Sequence, residues 1–121
     1  MKKTYNELTM PQEIRNSINQ SITIIKNKLK SNALKILLFG SYAREDYNKS
    51  SDIDLFVLVT NPREEANEVL NSFFDEIYDV DLENNVVINP LIENIDFYNQ
   101  YQNELFLFEN INNEGVLLYE Q

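Results

Sequence analysis

Apolar positions fall into two kinds of run along the chain, at helical spacing and as short stretches of strand length. Ile14, Ile18, Ile22, Ile25 and Leu29 recur at helical spacing behind Pro11, which suits the first turn of a helix. This predicts an amphipathic helix to about Lys30 with a basic outer face. "ALKILLF" (Ala33 to Phe39) and "DIDLFVLVT" (Asp52 to Thr60) are short apolar runs of strand length and read as two buried strands. Pro62 and the acids after it open a second long helix, "PREEANEVLNSFFDEIYDVDLEN", with Val69, Phe73, Ile77 and Val80 as its apolar stripe. "NVVINPLI" (Asn85 to Ile92) predicts a third strand, broken or put at an edge by Pro90. A last helix is expected from Asp96 to Asn113, stopped at Gly115, with "VLLYE" as a short terminal strand or tail. Helix and strand alternate without linker, repeat or low-complexity tract. The expected architecture is α/β or α+β, a sheet covered by helices, with residues 1–121 as a single domain.

Composition narrows the chemistry. Of the 121 residues 43% are apolar, enough for a core, and neither Cys nor His is present. Disulfides, thiol catalysis, a Ser-His triad and a zinc site built on Cys or His are thereby excluded, and any metal must take oxygen ligands. The basic start "MKKTYNELTMPQEI" lacks the apolar stretch of a signal peptide, and no apolar run approaches the length of a membrane span. The expectation is a cytoplasmic protein without a membrane partner.

Charge is divided unevenly. Met1 to Ser50 carries nine Lys and Arg against four Asp and Glu, a net +5, whereas Ser51 to Gln121 carries one against sixteen, a net −15. The acidic part repels a phosphate backbone, which argues against nucleic acid as a partner. It can attract a basic protein or act as a solubilising surface.

Two acids stand out against the apolar pattern. Asp52 and Asp54 are one residue apart at the mouth of the second strand. Side chains alternate across a strand, so both point to one face, about 7 Å apart along the backbone. Like charges so placed repel, and a divalent metal is the natural cation to join them. Mg²⁺ is usually held by one or two carboxylates, with water and substrate phosphate completing its shell. Separated from Asp52 by ten intervening residues, Ser41 follows Gly40, which ends the first strand. The glycine permits close approach of a ligand to the backbone. Ser41 can donate its hydroxyl and start a short helix whose free N–H groups face an anion. No P-loop is present, because Lys49-Ser50 lies too far from Gly40 and the second glycine is missing, and no G-x-G-x-x-G occurs.

"GSYAR" followed by "SDIDLFVL" resembles the signature of the DNA polymerase β-type nucleotidyltransferase superfamily, in particular its minimal members. The likeness takes in the leading helix, both strands and the closing "NEGVLLYE". It implies the nucleotidyltransferase fold, a small mixed β-sheet flanked by helices. It also implies that Gly40 and Ser41 contact the β- and γ-phosphates of a nucleoside triphosphate. Asp52 and Asp54 would be the catalytic, metal-holding pair, with Mg²⁺ as cofactor and ATP as substrate. Arg44 matches an arginine common after "GSYA" in these domains and would neutralise phosphate, its bland role being a surface ion pair with Glu45 or Asp46. Glu45 replaces a glycine often found there and puts an acid near the phosphate path. Tyr42 and Tyr47 can stack on a base, although packing is the commoner use of such aromatics.

Members of the superfamily usually bring a third carboxylate from a following strand, yet "VVINPLI" has no acid between Val86 and Ile92. Asp79, Asp81, Glu83 and Glu93 are near in sequence, with Asp79 and Asp81 expected as solvated acids at a helix end. Alternation puts Asn89, the one polar member, on the face toward Asp52 and Asp54. No substrate domain is expected within these 121 residues, and in this the sequence resembles the antitoxin half of toxin–antitoxin pairs whose partner is a helical HEPN-type toxin. In that family AMP passes from ATP to a tyrosine hydroxyl of the toxin. Two alternatives stand beside this reading: a binding-only antitoxin whose catalysis is weakened or lost, and a free enzyme adenylylating a small molecule or an RNA end.

Overall fold

The computed structural model describes residues 2–121. Four strands form one sheet: β1 (Ala33–Phe39), β2 (Ile53–Val59), β3 (Ile88–Asn94) and β4 (Val116–Glu120). Their order is β3-β2-β1-β4; β1 runs antiparallel to β2 and β4, while β2 and β3 are parallel. The helices are α1 (Gln12–Leu29), α2 (Ser41–Arg44), α3 (Ala66–Asn71), α4 (Phe74–Asn84), α5 (Ile95–Tyr101) and α6 (Phe106–Glu114). A mixed sheet flanked by helices is thus the observed architecture.

Both faces of the sheet are covered, which explains why β1 and β2 read as nearly unbroken apolar runs. On one face Ile36, Leu38, Ile53, Leu55 and Val57 meet Ile14, Ile18 and Ile25 of α1 and Ile77 and Val80 of α4. On the other, Phe56 and Leu58 meet Phe108 and Ile111 of α6, with Leu37 and Phe39 alongside. Asp54 shares the alternation phase of Phe56 and Leu58, so it lies on this second face, at the end where β1 stops. Ile53 is fully buried on the first.

The expected stripes of the helices are buried, Ile22 only in part, but two long helices are each divided. Within 62–84 the chain breaks between α3 and α4. Ser72 Oγ donates to the Val69 carbonyl at 2.6 Å, and Phe73 leaves the helical region (φ −129°, ψ 5°) to bury its ring in the core. The last helix is also two: the N–H groups of Glu104 and Leu105 both reach the Tyr101 carbonyl, and Leu105 then extends (φ −93°, ψ 127°) before α6 begins. This turn lets Phe108 and Ile111 face the sheet. The third strand lies later than expected, at Ile88–Asn94, and stands at the sheet edge, where the missing N–H of Pro90 breaks no ladder to a further strand. "VLLYE" is the other edge strand.

Candidate functional site

The stretch Gly40 to Asp54 folds back so that its two ends meet. Phe39 pairs with Asp54 in the β1–β2 ladder, which puts Gly40 beside that acid. Gly40 has φ +76°, a left-handed conformation that favours glycine, and a Cβ there would sit 2.2 Å from Asp54 Oδ2. Glycine is therefore required twice over, by backbone conformation and by close approach. Ser41 opens α2 with Gly40 as its N-cap, as the sequence predicts.

Asp52 is exposed and Asp54 half-buried. Asp54 Oδ1 accepts a hydrogen bond from Asn89 Nδ2 at 3.2 Å, a contact set by the β2–β3 register, which places Asn89 opposite Asp54. Among the described residues no ion pair reaches either acid. Burial holds the Asp54 carboxyl above its ordinary value of 3.8; the Asn89 amide opposes that shift, and the charge of Asp52 adds to it. No three Asp or Glu side chains among the described residues converge closely enough to enclose a metal. Two neighbouring carboxylates whose charges repel nevertheless suit Mg²⁺, which needs one or two protein oxygens and leaves the rest of its shell to water and phosphate.

Arg44, whose charge acts on Asp54, is engaged on two sides. Its Nε donates to Asp46 at 3.1 Å, and its Nη1 to both oxygens of Glu114 at 3.1 and 3.2 Å. Glu114 Oε1 also accepts the Gly40 N–H at 3.2 Å. One carboxylate at the end of α6 thus occupies both the backbone donor and the guanidinium that the sequence offers to an anion. Nothing local in the sequence marks Glu114, 74 residues from Gly40.

Other expectations are redistributed. Glu45 adopts φ 64° and binds the N-terminal segment, with Lys3 Nζ at 2.8 Å and the Thr9 N–H at 2.9 Å, rather than standing free on the phosphate path. Its left-handed backbone accounts for a glycine suiting this position. Tyr42 and Tyr47 stack on each other, ring centres 4.6 Å apart. Asp79 is exposed, as expected of a solvated acid, but Asp81 is not solvated in that way. Its Oδ1 accepts the Ile88 N–H at 3.1 Å at the start of β3, and burial, with Asp52's charge added, raises its pKa. Glu93 pairs with Leu58 at the opposite end of the sheet and is held by Arg63 Nε at 3.0 Å, so it is remote from Asp52. Beside Asp52 opens a cleft of about 700 Å³, lined in part by Glu13, Tyr42, Tyr47, Lys49 and Asn85.

Comparison with known proteins decides the family. Residues 19–121 match the family described as polymerase beta, nucleotidyltransferase. The chain belongs to this family. Over 107 residues it is 34% identical to a Methanocaldococcus jannaschii protein provisionally named a protein adenylyltransferase, covering 85% of this chain and 95% of that one. In fold it is similar to a provisionally named nucleotidyltransferase of Sulfolobus solfataricus (TM-score 0.57, 17% identity, 93% of this chain and 91% of that one). It is also similar to a chain in a toxin–antitoxin crystal structure with AMP-PNP (TM-score 0.55, 19% identity, 85% of this chain and 73% of that one). No helix of the described residues is long and apolar enough to cross a membrane.

Proposed function

We propose that this nucleotidyltransferase family member transfers AMP from ATP to a tyrosine hydroxyl of a partner protein, a HEPN-type toxin, and so neutralises it. The observation that carries the reading is the convergence of Gly40, Ser41, Asp52 and Asp54 at one sheet end, in a chain 34% identical to a named protein adenylyltransferase. The likeness to a toxin–antitoxin chain with an ATP analogue supports the partner class and the nucleotide.

In this reading Asp52 and Asp54 hold Mg²⁺, which would neutralise phosphate charge and polarise the α-phosphate. The Gly40 N–H, the Ser41 hydroxyl and Arg44 receive the β- and γ-phosphates, and the cleft beside Asp52 gives the nucleoside or the acceptor room. The acceptor oxygen bonds to the α-phosphorus, the bond to the β-phosphate oxygen breaks, pyrophosphate leaves, and the phenol gives up its proton to solvent. Asn89 stands opposite Asp54, where a third acid is expected, and an amide cannot accept that proton. A general base is typically worth ~10²–10⁴-fold in rate, so transfer should be slow and should rise with pH toward the phenol's own pKa near about 10.

The test is incorporation of labelled AMP into the toxin against pH. Asp52→Asn and Asp54→Asn should abolish transfer, and Asn89→Asp should accelerate it at neutral pH. Fast, pH-flat transfer by the native chain would assign the base to another carboxylate, with Asp81, whose charge interacts with Asp52, and Glu114, held on the Gly40 N–H, as candidates. The Asn89–Asp54 hydrogen bond also favours a second reading, an antitoxin that neutralises by binding alone. Absence of transfer at every pH, with the toxin still bound, would establish it.

A further inference from the structure

The outer side of α4 carries Phe74, Tyr78 and Leu82 at four-residue spacing, exposed to 49%, 51% and 65%. Residues so spaced form one row along a helix. The Phe74 and Tyr78 rings lie nearly parallel, 8° apart with centres at 6.4 Å, so the row presents a continuous aromatic surface ending in leucine. Beside it runs a second row, Asp75, Asp79 and Glu83, all exposed. The helix contains no Lys or Arg, and Glu76 is already paired with Lys28 of α1 at 2.8 Å. Ile77 and Val80 on the inner side hold α4 on the core, so the helix is secured independently of its outer row.

We infer that this face of α4 is a docking surface for a helix of a partner protein whose own apolar stripe is flanked by Lys or Arg. Large apolar side chains in a contiguous exposed row mark interaction sites, and aromatic anchors contribute most of the affinity of such contacts. The neighbouring acids choose among occupants. A second copy meeting this face about a two-fold axis would bring Asp75, Asp79 and Glu83 against themselves, in a chain of net charge −10. Nucleic acid is repelled by the same row. A basic amphipathic helix satisfies both rows at once, the apolar stripe by burial and the acids by opposite charge. The surface deepens the proposed reading, on which the identity of the partner rests, by stating where the partner binds and what it must present.

The full-length chain is titrated with two synthetic amphipathic helices that share a leucine stripe, one flanked by lysines and the other by glutamates. The lysine helix is expected to shift the amide resonances of residues 74–83 and to weaken as salt rises, while the glutamate helix does not bind. Phe74→Ser with Leu82→Ser should lower its affinity by ~10-fold or more with the melting temperature nearly unchanged, since both side chains are exposed. Equal binding of the two helices, shifts confined to other elements, or no binding would overturn the surface. Binding of the toxin is measured with the same variants. A toxin that binds native and doubly substituted chains alike refutes the docking surface and leaves adenylylation standing. A toxin that binds neither, while the lysine helix still docks on α4, refutes the partner assignment and not the surface.

Discussion

Asp54 shows how one residue's position turns into a pH-dependent property. Burial beside Gly40 raises its carboxyl pKa above 3.8, so the folded chain holds that proton more tightly than the unfolded chain does. Its effect therefore favours the fold below the unfolded carboxyl range, and that advantage is lost as pH rises through the raised value. Asp81 is shifted in the same direction and adds to the trend. Without divalent metal at neutral pH, Asp54→Asn should melt at or above the native temperature, because the amide keeps an oxygen for Asn89 and discards an unfavourable charge. Near pH 3 the two should converge. Mg²⁺ should raise the native melting temperature and leave the variant's unchanged, since ligand binding to the fold alone is stabilising. Thermal denaturation over pH, with and without Mg²⁺, checks all three, and a native chain more stable than the variant at neutral pH without metal would contradict the argument. Glu114 carries a second prediction at this scale. It holds the Gly40 N–H and Arg44 to which the proposed function assigns a triphosphate, so on that reading nucleotide would displace a carboxylate. Glu114→Gln should tighten ATP–Mg²⁺ by up to ~10-fold, which is about 1.4 kcal/mol. Calorimetry reads it, and weaker binding would mean that the carboxylate chiefly holds Arg44 in place.

At the scale of elements, periodicity located the faces that are buried but not the points where helices break. Val69, Phe73, Ile77 and Val80 are all buried, as one continuous stripe would be, yet they belong to two helices and the turn between them. A stripe reports which side chains find the core; it does not report that Ser72 has bonded back to Val69 and released the backbone at Phe73. The turn between α5 and α6 was hidden for the same reason, since no proline or glycine lies within residues 95–114 to signal it. Phe73 is then the residue joining α3 to α4 through the core. Phe73→Ala should cost about 3–5 kcal/mol, seen as a loss in chemical denaturation, with ATP binding unchanged in the fraction that stays folded. A cost typical of an exposed site would show that the turn is held by Ser72 instead.

At the scale of the whole molecule, the division into a +5 and a −15 part becomes a property of surfaces. Several basic residues of the first part are taken up internally: Lys3 by Glu45, Lys28 by Glu76, Lys35 by Glu120 and Arg44 by Glu114 and Asp46. The remaining field is that of an acidic protein, which speeds encounter with a basic one. If the proposed partner is the toxin, association with it should slow clearly as ionic strength rises toward about 0.15 M, where the Debye length is roughly 8 Å. Stopped-flow measurement over salt checks this, and a salt-insensitive on-rate would make the acidity solubilising only.

The sequence by itself determined the strands β1 and β2, the leading helix, the glycine before α2, the carboxylate pair and the likeness to nucleotidyltransferases. Each of these is a local pattern in which neighbours along the chain are neighbours in space. Placing Asn89 toward Asp54 was also legible, because strand alternation is local once a strand is assumed. Only the tertiary structure decided that Glu114 lies on Gly40 and Arg44, that Asp81 is drawn to the start of β3, and that Glu93 is at the far end of the sheet. Those three acids look alike in the sequence. Their surroundings are set by strand order and register, and by how helices cross the sheet, and these follow from packing among residues far apart in the chain.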